Sequence, residues 1–132
     1  MITGNLQRRW SEICPPVYDK ANRIVSLDIK QEAQTDEQGN EVQGYSFIPV
    51  EIDHQIDYGH IKSQLIEAGF AQKDEFGLLM NAVDSIVEAA AGASSWAKFK
   101  EALDNEVIKK FGEFCAFRNM CAQAAHEVMT HY

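Results

Sequence analysis

The stretch from Asp57 to Gly92 reads as two amphipathic helices joined by a tight turn, and a chain carrying such a pair must offer each apolar stripe a surface to bury against. Asp57 can cap the first helix, because its carboxylate can accept from an unpaired first-turn N–H. Gly69 can end it in a left-handed conformation, with Phe70 folding back onto the last turn. The second helix has Asp74 and Glu75 in its first turn, where they complement the helix dipole. Phe76, Leu79, Met80, Val83, Val87 and Ala90 recur along it at helical spacing and form the stripe expected to bury.

The preceding residues read as strands. Arg23 to Lys30 alternates, with Val25, Leu27 and Ile29 on one face and Ser26, Asp28 and Lys30 on the other. Asp36-Glu-Gln-Gly-Asn-Glu supplies a turn, since Gly39 and Asn40 tolerate positive φ, and Tyr45 to Ile52 returns as a second strand. Pro49 cannot donate to a ladder, which predicts an edge strand or a bulge at that position. Trp10 to Tyr18, interrupted by Pro15-Pro16, supplies a possible third strand, and Asp19 to Asn22 a turn out of it.

Beyond Gly92, Ser94 or Ser95 can cap a third helix starting near Trp96, with Trp96, Phe99 and Leu103 on one face. Asp104-Asn105 is a break, after which Glu106 to about Met129 forms the longest helix, its stripe running Ile108, Phe111, Phe114, Cys115, Cys121, Ala122, Ala125, Val128 and Met129. Its apolar residues occupy two neighbouring sectors. Ile108, Phe111, Cys115, Ala122, Ala125 and Met129 are assigned to the core, whereas Phe117, Met120 and Ala124 lie off that line and call for a second cover, a candidate interface with another copy or another protein. The fold expected is therefore α+β, an N-terminal antiparallel β-hairpin or meander followed by a three- to four-helix C-terminal half, in a single domain over 1–132 with a β-rich part (1–53) and a helical part (54–132).

Composition narrows the functional classes. With 45% hydrophobic and 24% charged residues the chain has the makeup of a globular protein able to form its own core. Its net charge of −8, with Arg8-Arg9 and Lys109-Lys110 the adjacent cation pairs, argues against nucleic acid as a partner. Neither a secretory leader at Met1-Ile-Thr-Gly-Asn nor an apolar span long enough for a membrane helix is read, so no membrane partner is expected. Cys14, Cys115 and Cys121 are odd in number and without a CxxC, which predicts free, buried thiols in a reducing cytoplasm.

Chemistry-bearing patterns are sparse. His54, His60, His126 and His131 lie near acids, but no HxxxH or HExxH places two imidazoles on one helix face, and no metal site is expected. No GxSxG elbow or phosphate-cradling glycine cluster is present, so neither a nucleophilic centre nor a cofactor is expected. The one constellation with acid, base and phenol together is His54, Asp57, Tyr58 and His60, at the junction of hairpin and helix. It is the candidate site for a small enzyme or ligand-binding protein.

Glu12-Ile-Cys-Pro-Pro-Val-Tyr18, Arg23-Ile-Val-Ser-Leu27, Asp36-Glu-Gln-Gly-Asn40 and the run from Asp57-Tyr58 through Ala68 resemble a family of small uncharacterised proteins of phages and prophages of gut bacteria. Phe117-Arg118 stands where the more distantly similar tail fibre assembly-like proteins more often have Trp-Arg or Tyr-Arg. The resemblance implies a non-enzymatic, phage-associated protein, a minor virion component or tail assembly factor that works by protein–protein contact with a phage structural protein or a second copy. It implies a place in the host cytoplasm or the phage particle, and it carries over no catalytic residue.

Overall fold

A computed structural model describes residues 3–131 of the chain. The architecture is α+β. An N-terminal antiparallel sheet is followed by four helices, and helix accounts for 52% of the described residues against 19% strand, so the helices set the shape of the core.

The main sheet holds β1 (Arg9–Ser11), β2 (Tyr18–Asp19), β3 (Ile24–Gln31) and β6 (Tyr45–Glu51) in the order β1-β6-β3-β2. Between β3 and β6 the loop forms its own two-stranded ladder, β4 (Gln34–Thr35) with β5 (Glu41–Val42). Its turn is the one expected. Asp36 accepts from the N–H groups of Gln38 (2.9 Å) and Asn40 (2.8 Å), and Gly39 sits at φ +82°.

The segment 10–18 yields two short strands rather than one, on opposite edges of the sheet, with Pro15-Pro16 in the link between them. β6 is central, so Pro49 lies on neither an edge strand nor a bulge. Its position is tolerated for a local reason. The Ser26 N–H donates to the Val17 carbonyl (2.8 Å), so Ser26 and its partner Pro49 exchange no ladder bonds, and Pro49 turns its missing donor toward the other flank, past the Arg9–Phe47 pair where β1 ends.

The irregularity falls on β3 instead. Leu27 pairs with Ile48 and Lys30 with Ser46, so Asp28 and Ile29 together oppose Phe47, and Asp28 takes φ +49°. Arg8 clasps this bulge. Its guanidinium pairs with the Asp28 carboxylate and donates to the Asp28 carbonyl (3.0 Å) and to the buried Ser46 hydroxyl (2.8 Å). The bulge also breaks the strict alternation, leaving Val25 and Leu27 fully buried and Ile29 only partly so.

The helices are α1 (Tyr58–Gly69), α2 (Gln72–Gly92), α3 (Trp96–Ala102) and α4 (Asn105–His131). Asp57 caps α1 through the Gly59 N–H (3.2 Å), and Ser95 caps α3 through that of Lys98 (3.3 Å). Asp104 caps α4 through those of Glu106 (3.1 Å) and Val107 (3.3 Å), and its own N–H donates to Ser85 Oγ (2.9 Å) of α2.

Gly69 ends α1 without a left-handed turn. Among the described residues those with positive φ are Gly4, Arg23, Asp28 and Gly39, whereas the residue after Gly69, Phe70, is extended at φ −134°. Close packing is what Gly69 permits. A Cβ there would sit 2.9 Å from Phe117 Cζ and 3.0 Å from the Thr3 carbonyl, because the N-terminal segment crosses α1 at this point and the Asn5 N–H caps the Gly69 carbonyl (2.8 Å). The Phe70 ring packs edge-on to Phe114 (4.9 Å) and Phe117 (5.3 Å) of α4, where a fold back onto the last turn of α1 was expected.

α4, roughly 40 Å long at 1.5 Å per residue, is the hub. It packs against α1, α2, β3 and β2. Phe114, Phe117, Cys121, Ala124, Ala125 and Val128 form its buried stripe, set against Val25, Leu27, Ile48, Val50 and Ile52 of the sheet side and Ile61, Leu65 and Ile66 of α1. The expected division of its two sectors is thereby corrected. Phe117 and Ala124, placed at an interface by the sequence, are buried in the chain's own core, and Met120 packs partly buried against it. Of the stripe read along this helix, Phe114, Cys121, Ala125 and Val128 are buried, whereas Ile108, Phe111, Cys115 and Ala122 are half-buried and Met129 is exposed. The second cover is the protein's own sheet and α1.

Candidate functional site

The hairpin-to-helix junction is built by the end of β6 and the first turn of α1. Asp57 is occupied as the N-cap of α1. His60, one turn into the helix, pairs through Nε2 with the Asp53 carboxylate (2.7 Å). That contact, with the N–H of Gln55 donating to the same carboxylate (2.9 Å), holds the Asp53 carboxyl below its usual range. His54 lies against the Arg23 guanidinium, on the sheet side. Tyr58 stacks on His126 of α4, with ring centroids 4.2 Å apart and an interplanar angle of 25°.

The four sequence candidates thus separate into a helix cap, an acid–imidazole pair, an imidazole against a cation and an aromatic stack. They do not converge on a common point. Among the described residues no group of three or more His, Cys, Asp or Glu side chains could hold a metal ion, and the His131 side chain lies outside that description.

The larger clefts lie elsewhere. One of about 520 Å³ is open to solvent between the N-terminal segment and α2, lined by Gly4, Asn5, Phe70, Lys73, Asp74 and Asn81 among others. Another, of about 280 Å³, is the groove between α2 and α4, walled by Phe76 and Leu79 on one side and Phe111, Phe114 and Cys115 on the other, with Glu75 and Arg118 at its rim. The thiols divide by burial and not as a class. Cys14 is exposed and Cys115 half-buried, whereas burial pushes the Cys121 thiol up to about 12, which keeps it protonated and inert.

The feature that sequence reasoning missed is the orientation of α2. Its predicted stripe does not bury. Phe76, Leu79, Met80, Val83 and Val87 are between 37% (Met80) and 63% (Phe76) exposed, Ala90 is exposed as well, and so is Ile86, which lay outside that stripe. Against α4 the helix turns instead a narrower line of smaller residues, the half-buried Leu78 with Ala82, Ser85 and Ala89. These recur at spacings of four, three and four, which is itself a packing seam. Small side chains let α2 approach α4 closely, and the Ser85 hydroxyl fixes the rotation by its bond to the head of α4. A signal was present in the sequence. The helix is apolar over well more than half its circumference, too wide for one partner, but the larger side chains pointed to the wrong half.

No family model, no curated protein and no solved structure matches this chain.

Proposed function

We propose that this is a non-enzymatic phage- or prophage-associated protein acting by protein–protein contact, as a minor virion component or a tail assembly factor. The observation that carries the contact reading is the uncovered apolar face of α2. Contiguous apolar patches of more than a few hundred Å² are uncommon on monomeric proteins and mark interaction sites. The phage assignment is carried by the sequence resemblance. Contact is favoured over a small enzyme because His54, Asp57, Tyr58 and His60 each already have separate partners instead of facing a shared cleft.

The test is mass spectrometry of particles purified from an induced lysogen, alongside gradient fractions holding tail intermediates. Recovery in finished particles makes the protein a virion component. Recovery only with intermediates makes it an assembly factor, and absence from both overturns the proposal.

A further inference from the structure

We infer that the occupant of the exposed α2 face is a second copy of this chain, docked with the two α2 helices antiparallel. The inference rests on the reading above that this face is a contact surface. Between Phe76 and Ala90 the exposed apolar positions advance by steps that alternate between three and four, through Leu79, Val83 and Ile86, with Met80 and Val87 broadening the line. That is the spacing with which one helix packs along another.

The area fits a pair of copies. At roughly 200 Å² for a fully exposed large apolar side chain, the six large residues offer on the order of 600 Å² per protomer, most of the ~800 Å² a standard interface takes from each partner. The groove beside it, walled by Phe111 and Cys115, would contribute more.

Charge argues for like meeting like. Copies of a chain of net charge −8 repel one another, and the line Phe76, Leu79, Val83, Ile86 and Ala90, which holds no ionised side chain, is where that repulsion is least. By the 100° step Lys73 and Asp84 flank the seam on the Met80 side, and Glu88 lies further round the helix. A basic partner would need acids within the seam to recognise it.

Direction follows from the helix ends. Asp74 and Glu75 open α2, whereas α3, packed beside α2 and tied back at Ser85 through Asp104, carries Lys98 and Lys100. Antiparallel docking sets the acidic end of one copy away from that of the other and toward an α3 in which Lys98 and Lys100 outnumber Glu101 by one, and opposes the two dipoles favourably. A parallel arrangement would set Asp74 and Glu75 against their own copies.

Sedimentation velocity on the full chain tests the inference, with Val83→Glu and Val87→Glu as variants. Both positions are exposed in the protomer, so circular dichroism should match the wild type. The expected result is a wild-type dimer at tens of micromolar and a dissociation constant raised about tenfold or more in each variant, since an unpaired carboxylate is costly to bury. A second measurement does not depend on those variants. In a Cys14→Ser, Cys115→Ser background, Val83→Cys should oxidise to a covalent dimer, because a residue near the middle of the seam meets its own copy across the two-fold axis.

A wild type that is monomeric at that concentration, a dimer indifferent to both glutamates, or a Val83→Cys chain that stays uncrosslinked overturns the second-copy inference. The contact reading has its own readout. Failure of the variants to enter particles or intermediates that the wild type enters would uphold it even for a monomer.

Discussion

At the residue scale, glycine and carboxylate positions take their meaning from what crosses them. Gly69 is wedged between the Phe117 ring and the Thr3 carbonyl. Gly69→Ala is therefore expected to lower stability by about 1–3 kcal/mol through overpacking, read as a lower urea midpoint at unchanged slope. A left-handed C-cap would have predicted strain from φ instead. Asp53 offers a pH-dependent test. Its carboxyl is held below the ordinary value of 3.8, first by His60 and then by the Gln55 N–H, so the pair's contribution to stability is present above that value and is lost as the pH falls through the lower folded one. Replacing His60 with Ala should bring the Asp53 titration, followed by NMR of its side-chain carbon, back toward 3.8; an unmoved midpoint would refute the pairing.

At the element scale, Met120→Asp distinguishes the two roles open to α4. Because Met120 packs against the chain's own core, the substitution should cost about 2 kcal/mol or more and lower the thermal midpoint, leaving any association with the native fraction unaltered. Dissociation of a dimer whose protomers stay fully folded would contradict the packing described. The elements themselves were legible in the sequence: the caps at Asp57 and Ser95, the break at Asp104-Asn105, the turn at Asp36 to Asn40 and the order of strands before helices all follow from local chemistry. Rotation was not. A helix that is apolar over a wide arc announces how much it buries, but the arc does not say which edge meets the core: on α2 the bulkier residues suggested the wrong edge, and on α4 Phe117 and Ala124 were set outside the core that they fill. On α2, Ala82, Ser85 and Ala89 win the interior because small side chains bring two long helices close, a tertiary advantage invisible to a count of hydrophobicity. The candidate junction was likewise legible as residues but not as a site, since the partners of His54, His60 and Tyr58 (Arg23, Asp53 and His126) lie outside α1, and Asp57 is occupied as the cap of its own helix.

For the whole molecule, net charge and apolar seam act in opposition, which gives association an unusual salt response. Two copies of charge −8 repel, and the seam contributes little Coulomb attraction to offset it. Raising ionic strength from about 10 mM to about 0.15 M shortens the screening length from roughly 30 Å to roughly 8 Å, so self-association should tighten with salt. An interface held by ion pairs would loosen, and sedimentation across that range decides between them. The central position of α4 also sets a schedule for synthesis. Val25, Leu27, Ile48 and Ile61 leave the ribosome well before the helix that covers them, so a nascent chain ending short of Asn105 displays the sheet's inner face and the buried side of α1 to water. Such a chain is a client for chaperones and an easy substrate for proteases, and it becomes resistant only once Phe114 to Val128 have cleared the exit tunnel and closed over it.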